Sequence, residues 1–346
     1  MQVSSARGVR TSVQTNRSRL PERINGAVSG SGMLPAVIGK PGSCTGRWAT
    51  LGAVMLVAAT LLASAAEAQD LEPRRYANIP VKQNFVRAAF GYSTGEVNIS
   101  PGLPFEDVDL ELLATSLAYL RTMDIGGKAA SFDAYLPLVC ADGTGVVDGT
   151  RQGRSVCGQG DATLRFTYNF IGAPALELGE FVGRKRQIVV GASVQVSAPV
   201  GRYDEERLLN IGANRWVLRP ELGMSVPLGK WNIEFSAGVR FFLDNDDFLG
   251  VSTLSQDPLV NLQAHAVYDI SQKQWLSLNG NFFFGGKTFR DGTPTQLRQE
   301  NSRLGVTWHV ALDAYNVIQF TANTGVITRV GNDSTTVSMA WLHRWE

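Results

Sequence analysis

The sequence is poor in the residues on which most enzymes and metal sites depend. Its 346 residues include three histidines and three cysteines, and none of the histidines stands near a serine in a recognisable nucleophile motif. Charged residues make up 18% of the chain and nearly cancel, leaving a formal net charge of +1, which does not favour nucleic-acid binding. We therefore expect a protein that is not an enzyme, has no cofactor or metal, and has no nucleic-acid partner.

Long apolar runs are confined to the N-terminal region. The run at 48–62 is shorter than the roughly twenty residues that a membrane helix needs, and Ala66, Glu67 and Ala68 form an A-x-A cleavage motif. These features predict a leader at 1–68 that contains a signal peptide and is cleaved after Ala68. A membrane anchor is the alternative, and Met33 is an alternative start of the chain.

Cys140 and Cys157 are the two cysteines that follow the leader. They are separated by 17 positions in a stretch rich in Gly and Asp, and export to an oxidising compartment predicts that they form a disulfide. A metal site would need further Cys or His ligands nearby, and none is present. The acidic run Asp244, Asp246 and Asp247 lacks the Gly and distal Glu of a calcium loop, so we interpret it as a solvated outer loop.

Alternation of apolar and polar residues dominates the rest of the chain. In the segment 216–242, WVLRPELGMSVPLGKWNIEFSAGVRFF, two alternating runs flank the turn residues at 227–230, which predicts a β-hairpin. Similar runs predict twelve strands, at 84–93, 108–121, 130–138, 161–170, 187–197, 216–226, 231–242, 260–269, 276–284, 303–310, 317–326 and 335–345.

The connections between these strands are long and short in turn, as in outer-membrane barrels, whose periplasmic turns are short and whose outer loops are long. Only helices or closed barrels satisfy the backbone hydrogen bonds within a membrane. The sequence therefore predicts an all-β protein, a transmembrane up-and-down antiparallel β-barrel of about 12 strands at 84–346, in the Gram-negative outer membrane. Residues 69–83 are predicted to form a periplasmic N-terminal segment. A soluble barrel or sandwich is the alternative.

In such a barrel the apolar face of each strand contacts outer-membrane lipids and the polar face lines the lumen. Trp216, Trp231, Tyr268 and Trp345 are predicted to lie in interfacial girdles, and the aromatic-ended last strand is expected to engage the barrel-assembly machinery. The pore-lining candidates are Arg87, Asp109, Glu111, Arg121, Asp133, Arg165, Arg219, Glu221, Glu234, Arg240, His265, Asp269, Arg303 and His309. They form either a polar passage that orients a solute or a lumen filled with ion pairs.

Several motifs of the chain resemble a known family. They are LEPRRYANIPV, FGYSTG, NFIGAPAL, LLNIGANRWVLRPELG, FFLDNDDFLG and DPLVNLQAHAVYDIS, in this order along the chain after the leader. The family is named for the meta-pathway of phenol degradation, and its members are outer-membrane barrel proteins described as transporters. The resemblance implies passive uptake of small hydrophobic or aromatic solutes. The alternatives are a structural or surface-interaction barrel with a plugged lumen and an outer-membrane enzyme that uses His265 or His309.

Overall fold

The structure, a computed structural model, describes residues 71–98, 105–147, 150–207 and 209–346. The predicted leader and its cleavage site lie outside these residues. The described chain forms seventeen strands and one short helix: β1 (Asn84–Asn98), β2 (Phe105–Ile125), β3 (Lys128–Val147), β4 (Thr150–Gln159), β5 (Ala162–Ile171), α1 (Leu178–Phe181), β6 (Val189–Ala198), β7 (Val217–Leu228), β8 (Trp231–Phe242), β9 (Asn245–Phe248), β10 (Ser252–Gln256), β11 (Leu259–Asp269), β12 (Gln274–Gly285), β13 (Thr288–Arg290), β14 (Thr293–Gln296), β15 (Gln299–Ala311), β16 (Asn316–Ile327) and β17 (Gly331–Trp345).

Twelve of these strands form a closed antiparallel barrel. Their order around the wall is β1, β2, β3, β5, β6, β7, β8, β11, β12, β15, β16 and β17, and β17 pairs back with β1 from Asn84↔Trp345 to Asn98↔Gly331. Each strand pairs with its sequence neighbour in the barrel, which is up-and-down topology. The fold predicted from the alternating pattern is therefore confirmed. Within the described ranges, no helix has the length and apolar character needed to cross a membrane.

The barrel wall is apolar outside and polar inside. Leu117, Leu222 and Leu278 are 57%, 60% and 58% exposed on the outer face, whereas Arg219 and Glu221 on the inner face are 5% and 6% exposed. Water-soluble proteins show the reverse distribution, with apolar side chains buried and charged ones exposed. The outer face is therefore the lipid-contacting surface of an outer-membrane barrel, and the soluble sandwich is excluded.

The two rims of the barrel differ in their connections. At one rim the turns are short, apart from the connection at 172–188 that contains α1. Gly126 and Gly127, at φ of 61° and 75°, join β2 to β3 there in the left-handed backbone conformation that such turns favour. We assign this rim to the periplasm. At the outer rim, β9, β10, β13 and β14 form a separate four-stranded sheet. The outer connection at 328–330 is the exception, because β16 and β17 extend to Ile327 and Gly331 and leave a short turn where a longer loop was predicted.

Aromatic side chains lie on the lipid-facing surface close to the rims. Trp216, Trp231 and Trp345 are exposed, and the rings of Trp231 and Tyr268 lie 4.8 Å apart between centroids. Trp216 precedes the outer end of β7, while Trp231 begins β8 at the periplasmic rim. Aromatic rings with a polar atom favour this headgroup level, where one end of the ring system meets lipid and the other meets water.

Strands β2 and β3 extend beyond the barrel at the outer side, where β4 pairs with the upper half of β3. Cys140 and Cys157 lie directly opposite each other in this pairing and form the predicted disulfide. The side of the β2–β3–β4 sheet that continues the lumen face carries an outer apolar cluster, formed by Leu110, Leu112, Ala114, Val139, Ala141, Val156, Leu209 and Ile211. The loop at 199–216 contributes the last two residues and covers the cluster.

Hydrogen bonds hold this covering loop in place. The Asp161 carboxylate accepts from the backbone N–H groups of Gly201 and Ala213, at 2.9 and 2.8 Å. Arg154 donates to Asp204 at 3.1 Å, and this hydrogen bond lowers the pKa of the Asp204 carboxyl below its usual range. The loop is therefore fixed at both of its sides to the β4–β5 region of the outer mouth.

Candidate functional site in the barrel lumen

Residues 71–83, which we call the lumen segment, lie inside the barrel, so the prediction of a periplasmic segment is wrong. The segment enters at the periplasmic rim, where Val81 donates its N–H to the Leu176 carbonyl at 2.9 Å and packs with Ala129, Ala173 and Val189. Leu71, at its other end, reaches Gly305 in the middle of β15. The segment lacks strand alternation, which is why its sequence did not place it in the barrel.

Glu72 attaches the lumen segment to β5. Its two carboxylate oxygens accept from Arg165 Nη1 and Nη2 at 2.8 and 3.1 Å, and its Oε2 also pairs with Arg75 of the same segment. A bidentate guanidinium–carboxylate pair is strong and directional because both hydrogen bonds are charge-assisted. Arg165, predicted as a pore-lining residue, therefore serves to hold the segment.

Tyr76 attaches the segment to the next two strands of the wall, β6 and β7. Its hydroxyl donates to Glu221 Oε1 at 3.0 Å and lies 3.2 Å from Ser193 Oγ, while Arg219 Nη2 donates to Glu221 Oε2 at 2.7 Å. The ring fits against Gly223, where an added Cβ would be 1.9 Å from Tyr76 Cε2. The missing side chain at this position creates the recess that the ring occupies.

Arg74 contacts the wall near the periplasmic ends of β8, β11 and β12. Its backbone N–H donates to Glu234 Oε2 at 2.5 Å, its guanidinium pairs with Asp269, and the same group lies 5.3 Å from the centroid of the Trp275 ring. Asp269 also accepts from Arg186 Nη2 at 2.7 Å. Three strands of the wall, β8, β11 and β12, are thereby joined to the segment.

Little space remains between the segment and the wall. A cavity of about 10 Å³ lies among Glu72, Arg75, Tyr76, Glu234 and His265, which is about the volume that one water molecule requires. At the level of Tyr76 the lumen segment therefore fills the space along β5 to β8. Two carboxylates of the lumen are compensated by arginines, Glu72 by Arg165 and Glu221 by Arg219, as in a lumen filled with ion pairs.

The two predicted lumen histidines belong to this internal network. His265 Nδ1 lies 2.9 Å from Asn279 Oδ1, and Asn279 Nδ2 donates to Thr307 Oγ1 at 2.9 Å. The ring of His309 stacks on Trp275 at 4.8 Å between centroids. These contacts orient the side chains of β11, β12 and β15, which gives both histidines a role in filling the lumen.

Most of the predicted pore-lining residues lie on the lumen side of their strands. They are Arg87, Asp133, Arg165, Arg219, Glu221, Glu234, Arg240, His265, Asp269, Arg303 and His309. Their part in solute passage stays a prediction. The residues that the sequence did not single out as site residues are those of the lumen segment, above all Glu72, Arg74 and Tyr76, because no local pattern marks them.

Asp109, Glu111 and Arg121 were predicted to face the lumen, and this prediction is wrong. In β2 the lumen face carries the alternate residues, because Leu112 is paired with the inward Ser93. Asp109 and Glu111 are exposed on the outer surface above the lipid band, and Arg121 is exposed on the lipid-facing side near the periplasmic rim. The apolar side of β2 points inward here because it packs into the outer apolar cluster instead of lipid.

A methyl group at Gly223 is expected to displace the Tyr76 ring and raise the ion conductance of the protein in planar bilayers. The Cβ of a Gly223→Ala variant would overlap the ring, so the Tyr76–Glu221 hydrogen bond must break. Gly280→Ala is the matched control, since a Cβ there has its nearest neighbour at 3.7 Å. Equal conductance in the two variants would contradict the placement of Tyr76.

Comparison with known families assigns the barrel to a protein family. Residues 89–341 match the family model described as "Putative MetA-pathway of phenol degradation". The chain belongs to this family. The match begins inside β1 and ends inside β17, so it includes at least part of every barrel strand. The resemblance carried by the sequence motifs is confirmed. No curated protein matches the chain in a sequence comparison.

Solved structures with the same architecture are outer-membrane barrels. The COG4313 outer membrane channel from Pseudomonas putida F1 is 21% identical, with a TM-score of 0.67 over 79% of this chain and 99% of that one. The transport unit of the autotransporter AIDA-I from Escherichia coli is 7% identical, with a TM-score of 0.47 over 85% and 97%. The likeness to the first shows that this member of the family has the fold of an outer-membrane channel.

Proposed function

We propose that the protein is a passive outer-membrane channel that takes up small hydrophobic or aromatic compounds. The observation that carries the proposal is the partly exposed edge of the outer apolar cluster, where Leu110, Leu209 and Ile211 lie at the outer mouth. An apolar solute gains free energy when its surface leaves water for such a site. Membership of a family of barrel proteins named for phenol degradation supports the same class of solute.

In this proposal the lumen segment is the barrier that a solute meets after the outer cluster. Beyond its anchor at Val81, the segment is held to several strands mainly by side-chain pairs, so residues 71–80 can move without disturbing the barrel ladder. A solute that enters the mouth passes only when some of these pairs open. Uptake would then follow the concentration gradient of the solute.

The test is the initial uptake rate of a radiolabelled aromatic hydrocarbon by whole cells. A deletion strain is expected to lose most of the uptake, and a Leu209→Asn/Ile211→Asn variant is expected to restore little of it, because two apolar contacts of about 1.5–3 kcal/mol each are lost. Leu243→Asn/Val251→Asn is the matched control, since both residues are exposed outside the cluster. Unchanged uptake in the deletion strain would refute the channel.

A surface-interaction barrel is the second candidate, and the filled lumen favours it. Here the disulfide-linked β3–β4 hairpin would bind a partner while the lumen stays closed. Replacing β4 by a flexible linker is expected to abolish adhesion of cells to the partner and leave uptake of the hydrocarbon unchanged. Loss of uptake without loss of adhesion would reject this candidate.

A further inference from the structure

Three lysines project from neighbouring turns of the periplasmic rim. Lys185 precedes β6, Lys230 lies between β7 and β8, and Lys273 lies between β11 and β12, and all three are exposed. We call them the basic rim. Backbone contacts hold the turns in place, because Asp269 donates its N–H to the Lys230 carbonyl at 2.8 Å and Ala311 donates to the Lys273 carbonyl at 2.7 Å.

The basic rim borders the lipid-facing surface. Ile188, Leu228 and Ile270 stand within three residues of the respective lysines and are 50%, 59% and 46% exposed. The tilted ring pair of Trp231 and Tyr268 lies beside the Lys230 turn. Exposed apolar residues and paired aromatic rings at the end of a barrel strand mark the boundary between acyl chains and headgroups. The three ammonium groups therefore extend to the level of the phosphates of the inner leaflet.

The arginines near the rim are used within the protein, while the lysines are not. Arg184 donates to the Asn78 carbonyl at 3.0 Å and lies 4.0 Å from the centroid of the Phe181 ring, and Arg186 pairs with Asp269. Among the described residues, no side chain forms an ion pair or hydrogen bond with the ammonium group of Lys185, Lys230 or Lys273. The nearby acid Asp269 already binds two arginines, Arg74 and Arg186.

We propose that the basic rim binds the phosphate headgroups of anionic phospholipids in the periplasmic leaflet of the outer membrane. Its lysines are compact charges on flexible stems, which suits them to mobile headgroups better than to a rigid protein partner. Each lysine near an anionic surface strengthens binding about fivefold. The inference concerns the seating of the barrel in its membrane and does not depend on the solute that the barrel transports.

The test is competition between two lipids for the purified protein. Mixed micelles with equal amounts of phosphatidylglycerol and phosphatidylcholine are examined by native mass spectrometry, which counts the lipids that stay bound. The protein is expected to prefer phosphatidylglycerol, and the preference is expected to fall about fivefold for each lysine removed in the series that ends with K185Q/K230Q/K273Q. Raising the salt concentration should weaken the preference, because exposed charges are screened.

Two further variants make the result specific. K185R/K230R/K273R keeps the charge and is expected to keep the preference, whereas R151Q/K287Q/R298Q removes three cations from the outer side and is expected to leave it unchanged. Equal binding of the two lipids, or equal losses in the inner and outer variants, would overturn the proposal. A K185Q/K230Q/K273Q variant that kept its lipid preference but lost function in cells would also overturn the proposal. That result would mean that the basic rim binds a protein.

Discussion

Removing residues 71–80 from the lumen segment is expected to raise the single-channel conductance in planar bilayers by roughly an order of magnitude. The deletion takes away Glu72, Arg74 and Tyr76, which bridge from β5 to β11 across the lumen. The wall that remains is lined by charged and polar side chains, and a twelve-stranded barrel is wider than the eight-stranded ones that side chains fill completely. Water and ions should therefore enter the vacated space.

Two controls separate an open lumen from a damaged barrel. The deletion keeps Val81, so the apolar contacts with Ala129 and Val189 at the periplasmic rim can still form. Folding is checked by gel electrophoresis of unheated and heated protein. A difference in electrophoretic mobility between the two samples shows that the unheated barrel is closed. A folded variant with the conductance of the intact protein would mean that the lumen segment is not what closes the passage.

The Arg219→Leu substitution is expected to lower the free energy of unfolding by about 3–5 kcal/mol. Arg219 and Glu221 have side chains that are 6% and 4% exposed, and they pair at 2.7 Å. Removing the guanidinium leaves the Glu221 carboxylate buried without its cationic partner, which costs more than losing both charges. Urea titration of the protein refolded in detergent micelles provides the measurement.

The matching double variant identifies the cause of this loss. In Arg219→Leu/Glu221→Leu no charge is left unpaired, so most of the lost stability should return. Lys82→Gln is the surface control, because the pair of Lys82 with Glu177 is exposed on both sides and should contribute little. If the double variant were as unstable as Arg219→Leu, the loss of stability would come from altered side-chain packing around position 219 and not from the unpaired Glu221 charge.

The strand pattern was predictable because a barrel wall repeats one rule twelve times. Residues such as Leu222 and Glu221 alternate between lipid and lumen, and the period of two is visible over any ten residues. The rule failed in β2, because apolar side chains in its outer half point toward the outer apolar cluster, whereas those in its periplasmic half point toward lipid. Leu112 and Leu117 are both apolar, yet Leu117 faces lipid and Leu112 faces the outer apolar cluster, so hydrophobicity alone could not fix the register.

The lumen segment was not predictable from the sequence for a different reason. Its contacts join residues that are far apart along the chain, at separations of 93 positions for Glu72 with Arg165 and 195 for Arg74 with Asp269. Nothing local indicates such pairs, since the segment has neither the period of a helix nor that of a strand. The leader and its cleavage after Ala68 remain predictions from the sequence.

The position of the lumen segment also sets an order of assembly. Closing the wall requires β1 to meet β17, at a separation of 243 positions between Ser93 and Thr336, and contacts between such distant parts of a chain form slowly. The segment precedes β1, and its recess exists only after β5, β7 and β11 stand around it. We therefore expect each newly inserted molecule to pass through a short-lived leaky intermediate, which time-resolved dye release from vesicles during folding would detect.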